Sequence, residues 1–343
     1  MKVKILSIFA ILALAITCVV LFFNFLPESS NVKNGFNRIY LKKPIKIQAI
    51  SSLKNENYSF VKLTPNLISL YNFNMPYNLL EISADLKTMR QKRINFVQNG
   101  DKFDGLNKVA FIDRDTFILS GASSTAYKIG IYSKTNTEGK LTRYGFYQSE
   151  IANDNSFFLV KDTIVDQTKR RVLSNVNWKG EINHSYMPPK QIDGYFCTDG
   201  LFKISKKTQH LIYMYYYRGE FICLDSNLNI VYNAKTIDTI TQAVFKLKTR
   251  GQFIVHASPP NVVNKRFYID EEKIYMHSNI KSDNENGKNF KDNGEIDVYN
   301  LNNGSYLYSF YIPKLSHGLI KEFIINKNTM VVLYDSAIAV FKI

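Results

Sequence analysis

The strongest constraint on the fold is a pattern that continues from about residue 47 to the C terminus. Short runs of β-branched and aromatic residues alternate with clusters of Asn, Asp, Gly, Lys and Ser. We find no stretch of helical length with apolar residues at helical spacing in this region. Many short strands at regular spacing are typical of a sandwich, a barrel or a propeller. Tight connections such as Asp225–Asn229 and Leu301–Ser305 predict that neighbouring strands form hairpins, so that the chain is a meander.

One unit recurs along this region and predicts the class of fold. It contains an apolar strand, a tight turn, a second apolar strand, a connection and an outer hairpin, as in residues 211–234. The unit spans about 40 to 50 residues, which is the period of a four-stranded propeller blade. We predict an all-β fold, a six-bladed β-propeller over residues 47–343. Five or seven blades, or another all-β architecture, are the alternatives. A first strand near Ile45–Ile50 is expected to close the ring by pairing into the last blade.

A family resemblance supports this prediction. The segments Phe253–Lys265, Ile274–Asn279 and Asp297–Leu301, the last followed by Gly304 and Tyr306, resemble the six-bladed TolB-like propeller proteins exported by Bacteroidetes. The matching motifs are structural, since the spacing of Asp, Tyr, Leu and Gly in residues 297–304 marks the outer hairpin of a blade. The resemblance implies an envelope location and a binding or scaffolding role. It assigns no functional residues.

The N terminus predicts a membrane anchor. Ile5–Leu26 is a nearly unbroken apolar stretch preceded by Lys2 and Lys4, and a helix of this length spans about 30 Å, the hydrocarbon thickness of a bilayer. We predict a signal anchor over residues 1–26, a tether over 27–46 and a single-pass protein whose propeller faces the periplasm or exterior. A cleaved signal peptide is the alternative. Lipidation at Cys18 is a further alternative, although Thr17 fits a lipobox poorly.

The basic balance of the chain does not predict a nucleic-acid partner. Lys and Arg number 44 against 29 Asp and Glu, so the net charge is +15. The cations are scattered, however, and the densest clusters are short: Lys42-Lys43, Lys169-Arg170-Arg171 and Lys206-Lys207. No recognisable nucleic-acid module is present. An anionic membrane surface or an acidic partner remains compatible with the charge.

Residues with metal-binding or redox chemistry form no recognised motif. The five histidines are far apart in sequence and show none of the usual ligand spacings: His184, His210, His256, His277 and His317. A propeller axis would bring such residues together, so a metal site and a cofactor stay unassigned. Asp283 and Glu285 lie in a polar insertion that matches a calcium loop only in part, and a solvated loop is favoured. Cys197 and Cys223 are either a disulfide pair or apolar strand residues.

Two segments are candidate ligand sites. Tyr213, Tyr215, Tyr216, Tyr217 and Arg218 follow one another near the end of a predicted strand. Such rings either pack between blades or stack on a ligand, with Arg adding a cation–π attraction. His256 precedes Ala257-Ser258-Pro259-Pro260, and two prolines exclude a central strand, which predicts a loop at the end of a blade. The predicted ligand-binding residues are therefore His256, Tyr215, Tyr217 and Arg218.

No catalytic signature appears in the sequence, which favours a binding or scaffold module over an enzyme. The predicted partner is a protein or a small molecule, with the membrane contacted through residues 5–26. Two other functions stay open. A propeller hydrolase would need acidic and histidine side chains that converge on a metal at the axis. A basic surface for anionic lipid or glycan would show binding that weakens steeply with salt.

Overall fold

The computed structural model of the chain describes residues 33–42, 45–54, 57–93, 107–112, 115–120, 125–129, 136–141, 145–153, 156–251, 253–315 and 318–343, besides residues 12 and 14–17. Strand β1 (Lys46–Ser52) comes first. Sheet 1 follows with β2 (Tyr58–Leu63), β3 (Leu67–Asn72), β4 (Met75–Ser83) and β5 (Met89–Arg93). Sheet 2 contains β6 (Asn107–Ile112), β7 (Asp115–Ser120), β8 (Thr125–Ile129) and β9 (Asn136–Lys140).

The remaining sheets complete the series in chain order. Sheet 3 contains β10 (Phe146–Asn153), β11 (Ser156–Val165), β12 (Thr168–Asn177) and β13 (Ile182–Tyr186). Sheet 4 contains β14 (Gly200–Ile204), β15 (Leu211–Tyr215), β16 (Glu220–Leu224) and β17 (Ile230–Lys235). A two-stranded hairpin, β18 (Leu247–Arg250) and β19 (Phe253–His256), precedes sheet 5. Sheet 5 contains β20 (Asn264–Asp270), β21 (Lys273–Ser278), β22 (Asn293–Asn300) and β23 (Tyr306–Pro313).

The last sheet joins the two ends of the domain. Sheet 6 contains β24 (Ile320–Asn326), β25 (Thr329–Tyr334) and β26 (Ala337–Lys342), and its outer strand is β1. Lys46 pairs with Lys342 and Ser52 with Ala337 in an antiparallel register. The predicted closure of the ring by an N-terminal strand is therefore confirmed. Because β1 hydrogen-bonds to β26, the outer edge of β26 is not left unpaired.

Contacts between sheets follow a cyclic order. The first strands of successive sheets contact one another, from β2 to β6, β10, β14, β20 and β24, and β24 contacts β2 again. Each first strand is therefore nearest to the axis, as in a propeller. Since the strands alternate in direction, each first strand begins on the same side of the ring as the hairpin between its second and third strands. We call this side the upper face and the opposite side the lower face.

The packed core lies between neighbouring sheets. Four buried apolar clusters join sheets 1 and 6, 3 and 4, 4 and 5, and 5 and 6. All five side chains of β15 are buried, which explains the continuous apolar sequence of that strand. A propeller of four-stranded blades is thus confirmed. Packed cores are described for five sheets, one fewer than the six blades predicted from the sequence. The exception is sheet 2, of which few side chains are described.

The short runs of β-branched and aromatic residues predict strands over 58–63 and 67–72, and β2 and β3 have these bounds. The polar insertion after β21 differs from its prediction. We expected a solvated loop there, and the structure has a short helix, α1 (Gly287–Asp292). The side chain of Asn286 caps this helix by accepting a hydrogen bond from the backbone N–H of Asn289 at 2.7 Å. A polar capping residue thus starts a helix that no apolar periodicity would indicate.

Part of the predicted tether lies against sheet 5. The backbone N–H of Asn34 and that of Gly35 donate to the carboxylate of Asp283 at 2.6 and 3.0 Å. Leu41 N–H donates to Ser309 O at 2.9 Å and Ser309 N–H to Ile39 O at 2.8 Å, so residues 39–41 extend sheet 5 beside β23. Asp283 therefore binds backbone N–H groups of the N-terminal segment and joins that segment to the insertion after β21.

A buried arginine holds this segment in place. Arg38 donates to both carboxylate oxygens of Asp297, at 2.7 and 3.0 Å, and lies 3.6 Å from Glu285. One cation thus faces three acidic side chains, because Glu295 is also buried there. Burial raises the pKa of Glu295 to about 9; the nearby Glu285 adds to the shift and Arg38 offsets only part of it. Glu295 is therefore protonated at neutral pH.

Most of the N-terminal apolar run, including Cys18, and residue His317 lie outside the described residues. Within the part of the chain that is described, no helix combines the length and the apolar character needed to cross a bilayer.

The protonation of Glu295 predicts how stability changes with pH. The folded chain keeps this proton up to a pKa of about 9, whereas the ordinary pKa is 4.5. The unfolded state therefore binds fewer protons in this window, and the free energy of unfolding falls as pH rises, by up to about 1.4 kcal/mol per pH unit. We expect Glu295→Gln to flatten this dependence when urea unfolding of the full-length chain is measured at pH 6 and pH 9.

The exposed Glu271→Gln variant is the control, and its difference between the two pH values should match that of the natural chain. An equally steep loss of stability in Glu295→Gln would contradict the assignment of the buried proton.

Candidate functional site

The predicted ligand residues come together on the upper face, beside sheet 4. Tyr217 and Arg218 lie in the turn between β15 and β16, and Tyr215 is the last residue of β15. His256 ends β19, in the long connection between sheets 4 and 5. Of these four, Tyr217 and His256 are partly exposed, whereas Tyr215 and Arg218 are fully buried. The four predicted residues thus separate into two that face the surface and two that lie beneath it.

Two phenylalanines that the sequence did not single out complete an aromatic cluster, which we define as Phe196, Tyr217, Phe245 and His256. The ring centroid of His256 lies 4.6 Å from that of Phe196, 5.1 Å from that of Phe245 and 5.7 Å from that of Tyr217. Tyr217 and Phe245 are 5.6 Å apart. Most of these contacts are edge-to-face, the geometry that ring quadrupoles favour. All four rings are partly exposed on the upper face.

Asp193 shapes the loop that presents Phe196. Its carboxylate accepts hydrogen bonds from the backbone N–H groups of Tyr195, Phe196 and Cys197, at 2.9 to 3.3 Å. Burial alone would raise the pKa of Asp193, but these hydrogen bonds outweigh it and lower the pKa. The run of aromatic and apolar residues in this part of the sequence predicts a strand over 195–204. The strand begins only at Gly200, because Asp193 holds the preceding residues in a turn.

Arg218 and Tyr215 support the cluster from below. The guanidinium carbon of Arg218 lies 3.5 Å from the ring centroid of Tyr215. Arg218 also donates to Cys197 O at 3.2 Å and to Pro189 O at 3.4 Å, and pairs with Glu220 at 2.8 Å. It thereby ties the turn after β15 to the loop between β13 and β14. These two predicted residues hold the loops in position and do not line the exposed surface.

A second group of residues borders the cluster on the side of sheet 3. We call it the cationic border: Lys169 and Arg171, with the rings of Tyr147 and Tyr195. Arg171 lies 4.3 Å from the ring centroid of Tyr147 and 4.6 Å from that of Tyr195, and Lys169 lies 4.3 Å from that of Tyr195. Tyr195 contacts Phe196, with centroids 4.9 Å apart, so that border and cluster are continuous.

Two carboxylates hold the cations of the border. Asp162 pairs with Lys169 at 2.5 Å, and Asp199 lies 3.5 Å from Arg171. Burial raises the pKa of Asp199, and Arg171 offsets only part of this effect. The Lys169 side chain stays about half exposed, at 51%. The sequence marks Lys169-Arg170-Arg171 only as a short basic cluster, because nothing in its spacing indicates that Tyr147 from β10 and Tyr195 from the loop after β13 contact it.

The axis of the ring carries paired charges. Glu150 on β10 binds Lys108 on β6 at 2.6 Å and Lys203 on β14 at 3.2 Å. Burial alone would raise the pKa of Glu150, but Lys108 and Lys203 outweigh it and lower the pKa. Glu150 is thus an ion-pair partner in the ring. Across the described parts of the chain, no group of three or more His, Cys, Asp or Glu side chains is arranged to hold a metal.

The other histidine and cysteine candidates lie apart from this face or inside the core. His277 is buried in β21, and its ring nitrogens have no hydrogen-bond partner among the described residues. Burial lowers the pKa of His277 to about 3, and Lys265 and Lys314 add to the effect, so the ring is neutral. Cys197 and Cys223 are both buried and free, so the disulfide alternative is wrong. Cys223 is part of the apolar cluster between sheets 4 and 5, whereas the sulfur of Cys197 accepts backbone N–H groups of Gln191 and Gly194 in the turn before β14.

The sheet order and the closed contacts between sheets define the class of protein as a β-propeller. Solved structures support this fold. A DUF4221 family member from Bacteroides vulgatus has 11% identity and a TM-score of 0.50, and the match covers 91% of this chain and 98% of that one.

Two further structures are similar at lower TM-scores. An exported-protein candidate from Bacteroides fragilis has 12% identity and a TM-score of 0.47, covering 90% of this chain and 94% of that one. An inactive virginiamycin B lyase from Staphylococcus aureus, solved with quinupristin, has 10% identity and a TM-score of 0.47, covering 87% and 99%. No protein-family model matches the chain. No curated protein matches it either. The TolB-like resemblance therefore stays a prediction, and the fold alone is shown.

The buried position of Arg218 predicts a large effect on stability. Arg218→Ala removes the ion pair with Glu220 and leaves the carbonyls of Cys197 and Pro189 without this donor. We expect the free energy of unfolding to fall by about 3 kcal/mol, measured by urea titration of the full-length chain. Arg250→Ala, which truncates an exposed arginine on β18, is the control and should change it by less than about 0.5 kcal/mol. Equal effects of the two substitutions would contradict the supporting role of Arg218.

Proposed function

We propose that the chain is a membrane-anchored envelope binding module. In this proposal a six-bladed ring presents the aromatic cluster and the cationic border to a ligand with a planar apolar body and an acidic group. The observation that carries the proposal is the convergence of four partly exposed rings from three separate loops on one face. Surface rings gathered in this way, beside arginine and lysine, are typical of ligand sites.

The chemistry of the two neighbouring groups selects the ligand class. The faces and edges of Tyr217, Phe245 and Phe196 offer stacking surface for a sugar or an aromatic ring. Lys169 lies next to Tyr195, which contacts Phe196 of the cluster, and the Lys169 side chain is about half exposed. An acidic group on the ligand would gain an ionic hydrogen bond there. Because Tyr215 and Arg218 hold the loops from below, the site is formed before the ligand arrives.

Two features support a binding role over an axial metal hydrolase. A hydrolase of that kind needs free acidic or imidazole donors at the axis, whereas Glu150 is held by Lys108 and Lys203. Among the described histidines, His256 is the one that is partly exposed on the upper face. Its ring packs against three aromatic rings. The cyclic contacts of the first strands support a ring of six blades, and the apolar run Ile5–Leu26 supports the anchor.

A fluorescent anion tests the site. Anilinonaphthalene sulfonate has a planar aromatic body and an acidic group, and its emission rises when it is bound. We expect Tyr217→Ala in the full-length chain to weaken this binding about tenfold, since the loss of one stacking ring is worth roughly 1–3 kcal/mol. Lys169→Gln should weaken it less and reduce its dependence on salt.

Phe73→Ala is the matched control, because Phe73 is an exposed ring in the turn between β3 and β4, on the upper face of sheet 1. The proposal fails if Tyr217→Ala binds the anion as the natural chain does, or if Phe73→Ala loses as much binding as Tyr217→Ala.

A further inference from the structure

The hairpin of β18 and β19 stands apart from the six sheets. Its two strands pair with each other, from Leu247 opposite His256 to Arg250 opposite Phe253, and with no other strand of the described chain. An isolated two-stranded hairpin is marginally stable in water. Its base is held by His256 and Phe245 in the aromatic cluster. The hairpin therefore projects from the upper face on an aromatic support.

The free end of the hairpin is apolar and exposed. Phe253 is 65% exposed and Ile254 is 60% exposed. Neighbouring large apolar side chains at this level of exposure mark an interaction surface. Their position at the end of a projecting hairpin, and not in a groove, indicates a partner into which side chains insert.

The charge around these residues is positive. Lys246, Lys248 and Arg250 are exposed on or next to β18. Between Asp238 and Asp270 the sequence contains no acidic residue. Basic side chains beside exposed aromatic and aliphatic ones are the combination that binds an anionic lipid interface, where the apolar groups enter the headgroup region and the cations stay at the phosphates.

The N-terminal segment fixes the distance of this face from the predicted anchor. The hydroxyl of Thr239 donates to Asn34 O at 2.5 Å, and Asn34 also donates to Lys281 O at 2.8 Å. Thr239 and Lys281 both lie in connections of the upper face. Only seven residues, 27–33, separate Leu26, the end of the apolar run, from Asn34, and the eight extended steps between these two residues reach at most about 29 Å. An inserted anchor would therefore keep the upper face close to the membrane.

We propose that the β18–β19 hairpin docks on an anionic lipid surface, with Phe253 and Ile254 inserted at the headgroup level and Lys248 and Arg250 against lipid phosphates. The inference rests on the anchor of the proposed function and not on its ligand site. It orients the ring with the upper face toward the bilayer, so that the aromatic cluster lies next to the membrane.

Quenching of tryptophan emission by brominated acyl chains tests this proposal. Phe253→Trp and Ile230→Trp are made separately in a Trp178→Phe background. Ile230 is an exposed apolar residue at the start of β17, on the lower face, and serves as the matched control. The full-length chain is reconstituted in vesicles of equal parts phosphatidylglycerol and phosphatidylcholine, or of phosphatidylcholine alone.

We expect the Phe253→Trp emission to shift to the blue and to be quenched in the anionic vesicles, with the Ile230→Trp emission unchanged. Quenching should be lost in the neutral vesicles, at high salt, and when Lys248→Glu and Arg250→Glu are added. Absence of quenching in the anionic vesicles overturns the docking of the hairpin on lipid. A hairpin that binds a protein partner instead of lipid would give this result.

Retention of the chain by the vesicles in high salt is measured in the same samples and reports on the anchor separately. A chain that is retained while Phe253→Trp stays unquenched contradicts the hairpin docking alone. A chain that high salt releases, but whose Phe253→Trp emission is quenched at low salt, supports the docking and contradicts the anchor.

Discussion

The pairing of β1 with β26 is the interaction on which the rest of the ring depends. A propeller sheet has both faces buried only when a neighbour covers each side, and the first and last sheets gain their second neighbour only when the ring is closed. Here the closing strand comes from the N terminus and the other strands of sheet 6 from the C terminus. The contact between β2 and β24, and the cluster that joins sheets 1 and 6, follow from this single antiparallel pair.

Closure also explains how the upper face holds the loops of the candidate site in position. In a closed ring each sheet is held by neighbours on both sides, so the loops that connect its strands start from fixed positions. The loops bearing Phe196, Tyr217 and His256 leave three such positions around sheet 4. Side-chain bonds then fix the loops further, through Asp193 in the first loop and Arg218 between the first and second. The arrangement resembles other folds in which a rigid scaffold presents variable functional loops.

The fold was predictable from the sequence where strands are buried, and less so where they are not. β15 and β25 read as apolar runs because both of their faces are covered. The outer strand β5, with the sequence Met-Arg-Gln-Lys-Arg, and β13 are exposed, so no alternation marks them, and their hydrogen bonds to the preceding strand define them instead. Half of the candidate site was also predictable, since Tyr217 and His256 lie in unusual local sequences.

Phe196, Phe245 and the cationic border were not predictable, because residues distant in sequence come together there.

The segment of residues 34–41 has a mechanical consequence. It is bonded to sheet 5 through Asp283, Arg38 and Ser309 before the chain continues into β1 of sheet 6. A pulling force applied at the N terminus therefore loads these bonds first, and it acts on the seam between β1 and β26 only after they break. The segment thus protects the pairing of β1 with β26 from tension on the chain that precedes it.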